Sequence, residues 1–82
     1  MPVTYFIMLP DDGPNELEYE TNILGDESFG TFYANSGMKS LHKLVNDHPD
    51  MLSKTTIRDQ MGTKFTVTEF MDKLNDWKLR FN

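Results

Sequence analysis

The phrase Thr66-Val67-Thr68-Glu69 constrains the fold of this chain more than any other. It is a capping box: the threonine hydroxyl and the glutamate carboxylate three residues on satisfy each other's free backbone N–H groups, which marks a helix start. Phe65 before the cap and Phe70 in the first turn form a hydrophobic-staple pair. Val67, Phe70, Met71, Leu74 and Trp77 then recur at three- and four-residue steps and line one face. Glu69 with Lys73 and Asp76 with Arg80 are i,i+4 pairs in the favourable order. Lys78 and Arg80 fall where the helix macrodipole favours cations. Such a stripe must be laid on something apolar, and the upstream sequence supplies strands for it.

Val3 to Leu9 is apolar, β-branched and aromatic, which predicts a central strand covered on both faces. Pro10 ends it, and Asp11 to Asn15 is turn chemistry. Glu16 to Leu24 alternates: Leu17, Tyr19, Thr21 and Ile23 face one way, Glu16, Glu18, Glu20 and Asn22 the other. That pattern predicts a half-buried strand in a hairpin with the first. Gly25-Asp26-Glu27 is a second turn, and Ser28 to Ala34 a third strand with Gly30 marking a bulge. Asn35 or Ser36 caps a helix from Met38 to Asp47, whose Met38, Leu41, Leu44 and Val45 form the inner stripe. Pro49 stops that helix, and Asp50-Met51-Leu52 makes a short turn. Ser53 to Asp59 reads as a fourth strand, Asp59 to Gly62 as a turn, and Thr63 to Phe65 as a short return strand. The order β-β-β-α-β-β-α predicts an α+β fold: an antiparallel sheet with two amphipathic helices, in a single domain over residues 1–82. A chain of 82 residues buries one modest core, and small domains commonly add buried area by self-association.

With no cysteine, disulfides, thiolate nucleophiles and thiolate metal sites are all excluded. The longest apolar stretch, Tyr5 to Leu9, is too short for a signal-peptide core or a membrane span, so a cytoplasmic protein without membrane association is expected. His42 and His48 straddle a helix end and offer no His-x-x-x-His spacing. Asp11, Gly13 and Asn15 fall short of a calcium-loop phrase. There is no Gly-x-Ser-x-Gly and no glycine-rich phosphate loop. The expectation is a non-enzymatic protein without metal or cofactor.

Charge carries the remaining signal. Asp11, Asp12, Glu16, Glu18, Glu20, Asp26 and Glu27 fall within the first 38 positions, where there is no lysine or arginine. All eight basic residues follow, so a half of −7 and a half of +2 give the net −5. Uneven charge speaks to partners rather than to fold. Glu16, Glu18 and Glu20 form an anionic stripe for a basic protein partner, or a solvated strand face guarded against edge pairing. Phe29, Phe32 and Tyr33 lie close together, and Trp77, Leu79 and Phe81 close the chain. These are more aromatics than a chain this small hides internally, which points to contact with a second subunit. The resulting reading is a small protein-interaction or accessory protein, self-associating as a homo-oligomer through aromatic surfaces. The alternative is a nucleic-acid-binding module that uses Lys54, Arg58 and Lys64 of the second hairpin, against which a pI near 4.7 counts.

The stretch Leu24-Gly25-Asp26-Glu27-Ser28-Phe29-Gly30-Thr31-Phe32, with the later Thr56-Ile57-Arg58-Asp59 and Lys64-Phe65-Thr66-Val67-Thr68-Glu69-Phe70, resembles short uncharacterised proteins of marine tailed phages, cyanophage-like genomes included. The resemblance implies a host-cytoplasm location for a phage-encoded chain. It implies no activity and assigns no residue a role.

Overall fold

The computed structural model describes residues 1–15 and 18–81. Six strands and two helices follow in the order β1 (Pro2–Met8), β2 (Asn22–Asp26), β3 (Thr31–Tyr33), α1 (Ser36–Asp47), β4 (Thr56–Asp59), β5 (Lys64–Thr66), α2 (Val67–Asp76) and β6 (Lys78–Arg80). They form one sheet in the order β5-β4-β1-β2-β3-β6. The α+β class stands, with β1 in a central position. The expected all-antiparallel sheet is corrected to a mixed one, because β6 runs parallel to β3 while every other pairing is antiparallel.

The extra strand arises where the last helix stops early. Trp77 leaves the helix with φ −94° and ψ 158°. Its ring stacks on Phe32 with centroids 4.5 Å apart, which anchors the chain beside β3. Lys78 then donates its N–H to the Gly30 carbonyl at 2.9 Å, and Ala34 donates to the Arg80 carbonyl at 2.8 Å. The tail that reads as a helix end with cationic caps is therefore the sixth strand.

The second strand is also shorter than its alternation predicts. It begins at Asn22, and residues 18–21 form a loop into it. Tyr19 is buried there, with the Lys43 ammonium 4.9 Å from its ring centroid and His48 at its edge. Ser40 on α1 accepts the Glu20 N–H at 3.0 Å. These contacts with the α1 region hold the loop where a strand is expected. The third strand is likewise trimmed: Asp26 accepts the Ser28 N–H and caps a 3-10 turn over Glu27–Phe29, which Gly30 closes at φ 56°. Gly30 is thus a turn terminator rather than a bulge.

The helices begin as their sequences dictate. Asn35 accepts the Met38 N–H at 3.0 Å and caps α1. Both halves of the α2 capping box form, at 2.9 Å and 3.1 Å. Met38, Leu41 and Leu44 of α1 and Val67 and Phe70 of α2 share one core with Tyr5, Ile7, Ile23, Phe32 and Ile57 of the sheet. Both helices therefore cover the same face. Gly37 permits the close approach of α1 to β2, since a Cβ at that position would stand 1.7 Å from the Asn22 carbonyl oxygen. Among the described residues, no helix is long and apolar enough to cross a membrane.

Candidate functional site

Successive strand residues point to opposite faces, and cross-strand partners share one. Val3, Tyr5 and Ile7 of β1 point into the helix-covered core, so Thr4, Phe6 and Met8 stand on the other side. Among the described residues no helix covers that side. This corrects the expectation that the first strand is covered on both faces. Met8 and Leu24 are 45% and 43% exposed there, and Phe6 and Tyr33 are half-buried.

The register builds a continuous band across this face. Lys64 on β5 stands opposite Arg58 on β4, and Arg58 opposite Phe6 on β1. Leu24 on β2 lies opposite Thr4, diagonal to Phe6 and within reach of a large side chain. The pairing of Gly25 with Phe32 brings Leu24 level with Tyr33 on β3, and Tyr33 is opposite Arg80 on β6. In sheet order the band reads Lys64, Arg58, Phe6, Leu24, Tyr33, Arg80, one residue from each of the six strands. Lys78, beside Thr31, adds a second cation at the β6 end.

Four of the eight basic residues thus occupy one face of the sheet. Among the described residues none of the four is in an ion pair. The Arg58 guanidinium lies over the Phe6 ring, 5.1 Å from its centroid, an attractive cation–π geometry. Arg58 and Lys64 are direct cross-strand neighbours, an arrangement that like charges disfavour. Among the described residues the only acid at a strand position of this face is Asp26, at its corner. The Met1 amino group donates to its carboxylate at 2.6 Å, and this hydrogen bond holds the Asp26 carboxyl below the ordinary aspartate range.

The residues expected to act together are dispersed. Lys54 lies not on a strand but at the end of the 3-10 turn Pro49–Lys54. It donates to Asp12 at 2.8 Å, and that bond raises the lysine pKa and lowers the aspartate's. Glu18 and Glu20 are exposed in the loop before β2 and form no strand stripe, while Glu16 lies outside the described residues. Phe32 is fully buried, against Trp77, Tyr5 and Phe70. Phe29 projects from the 3-10 turn with 76% of its surface exposed. Of the aromatic trio only Tyr33 belongs to the open face. Arg58 and Lys64 are brought together there, joined by Lys78 and Arg80, which sequence reasoning assigns to a helix end. The period-two phrase Trp77-Lys78-Leu79-Arg80-Phe81 is the signal that could have exposed them as a strand.

Elsewhere, an apolar groove of about 480 Å³ runs between α1 and β6, lined by Ala34, Met38, Lys39, His42, Leu79 and Phe81. Among the described residues no group of three or more histidine, aspartate or glutamate side chains is placed to hold a metal ion. Comparison of the chain with protein-family models, with curated proteins and with solved structures finds no match in any of the three.

Proposed function

We propose that this protein is a small, non-catalytic binding module that holds nucleic acid on the helix-free face of its sheet. The observation that carries the reading is the segregation of charge: four cations that form no ion pair among the described residues, and one carboxylate already paired with the Met1 amino group, occupy that face in a chain of net charge −5. A phosphate chain responds to the local field, so an acidic pI does not oppose a basic face. Phe6, Met8, Leu24 and Tyr33 add a contiguous apolar centre, and a surface of that kind rimmed by polar groups marks an interaction site. Salt-dependent binding tests this directly. Fluorescence anisotropy with labelled oligonucleotides should show log K falling with log salt, by about 0.7 per neutralised phosphate of a single strand. The variant Arg58→Gln/Lys64→Gln/Lys78→Gln/Arg80→Gln should lose both affinity and slope. Undiminished binding by that variant defeats the proposal.

Self-association is a second reading, favoured by the exposure of Phe29 and Phe81 at 76% and 79% and by the groove that Phe81 helps to line. Glu18 and Glu20 then remain free for a basic protein partner. Sedimentation equilibrium should detect a dimer or larger species that Phe29→Ser/Phe81→Ser dissolves. A wild-type protein that stays monomeric at millimolar concentration removes this reading.

A further inference from the structure

We infer that the ligand of the open face is a single strand, and that it crosses the β-strands rather than following them. This rests on the nucleic-acid reading above and names the form of nucleic acid involved.

The order of side chains along the band is the ground for it. Two cations stand at one end, Lys64 and Arg58, and two at the other, Lys78 and Arg80. Between them come Phe6, Leu24 and Tyr33, with no charge interposed. A duplex offers phosphates outward and keeps its base faces stacked inside, so it can use the cations but leaves Leu24, the Tyr33 ring and the part of Phe6 that Arg58 does not cover facing water. A single strand uses both, because its bases are free to lie on aromatic and apolar side chains while its phosphates reach the cations. Stacking of this kind is tolerant of sequence, since every base presents a π-face.

The direction follows from the register. From β5 to β6 there are five inter-strand steps, so the band is about 24 Å long at ~4.8 Å per step. Along any one β-strand, by contrast, the open face offers at most one ring. A ligand running parallel to the strands therefore meets either cations or a ring, never the whole set. At ~3.4 Å per nucleotide for a stacked strand, about seven nucleotides reach from clamp to clamp, within the ~4–16 nucleotides that sheet-based single-strand sites occupy.

The test compares an eight-nucleotide oligo-dT, a three-nucleotide oligo-dT and an eight-base-pair duplex by fluorescence anisotropy. Wild-type protein should bind the eight-mer at least tenfold more tightly than either. Tyr33→Leu and Phe6→Leu keep apolar bulk and remove the ring. Each should weaken eight-mer binding by about tenfold and leave the salt slope unchanged. Lys64→Gln and Arg80→Gln, at exposed positions that spare the core, should instead reduce the slope by about 0.7 each. Circular dichroism checks that each variant is folded, and the two charge variants keep the test open should a ring variant unfold. Equal affinity for duplex and single strand, or ring variants with unaltered binding beside weakened charge variants, overturns the single-strand inference and leaves the nucleic-acid reading standing. Absence of binding to all three probes overturns both.

Discussion

The two faces of this sheet are built from the same strands, one residue apart, and they solve different problems. Tyr5, Ile23, Phe32 and Ile57 point into a core that two helices close. Their immediate neighbours Phe6, Leu24, Tyr33 and Arg58 point to a face that no helix closes among the described residues. The covered face is apolar with its polar groups satisfied, and among the described residues no buried side-chain nitrogen or oxygen lacks a partner. The open face keeps apolar side chains exposed and sets two cations opposite each other. The first arrangement lowers the free energy of the folded chain by itself. The second, apart from the Arg58–Phe6 contact, leaves apolar surface exposed and a like-charge pair uncompensated within the chain.

The sharpest way to separate the faces is to change two adjacent residues of β3. Phe32→Ala should cost about 3–5 kcal/mol, the range for deleting a buried phenyl ring. Tyr33→Leu, one position along and facing the other way, trades a ring and a hydroxyl for a smaller aliphatic side chain at a half-buried site and should cost about 1 kcal/mol. Urea unfolding monitored by tryptophan fluorescence reports both, since Trp77 stacks on Phe32. Comparable losses at the two positions collapse the distinction between the faces.

Gly37 tests how tightly the covered face is closed. An added methyl at that position meets the Asn22 carbonyl, so Gly37→Ala forces α1 away from β2 and from the Asn35 side-chain amide bond to the same carbonyl. The expected cost is about 3 kcal/mol, at the upper end for overpacking a core. A variant as stable as wild type shows that the α1–β2 approach is not as close as described.

Much of the covered face was legible in the sequence, and little of the open one. Thr66-Val67-Thr68-Glu69, Asn35 and Gly62 are local codes: each specifies a cap or a turn through its own backbone chemistry, and each appears where read, Gly62 at φ 89°. The inner stripes of both helices follow from period alone. The alternation from Glu16 to Leu24 misleads because a period of two does not say whether a neighbouring strand is in reach. Tyr19 finds its burial beside α1, and residues 18–21 stay a loop while the strand begins at Asn22. The tail misleads in the opposite sense, since cations after a capped helix suit both a helix end and a basic strand. What decides is Trp77 against Phe32, a contact between residues 45 positions apart that no local pattern encodes. For the same reason Lys54, Arg58 and Lys64 look like one group in the sequence. In the fold Lys54 is drawn to Asp12, and Arg80 from the far edge completes the band with Arg58 and Lys64.

The smallest expected effect asks whether the open face is arranged for stability or for a ligand. Lys64 and Arg58 are direct cross-strand partners of like charge. Lys64→Glu converts that repulsion into an attraction, and opposite charges in this geometry gain about 0.2–1 kcal/mol over an uncharged pair. For a domain of this size the melting temperature should rise by about 1–8 °C. The same substitution removes one cation from the band and places a carboxylate in the path of a phosphate chain, so oligonucleotide affinity should fall more than tenfold. A gain in stability coupled to a loss of binding identifies Lys64 as a residue kept at the expense of the free protein. A loss of stability means that Lys64 makes its own contribution to the edge strand, and the like-charge pair then ceases to be evidence for a ligand.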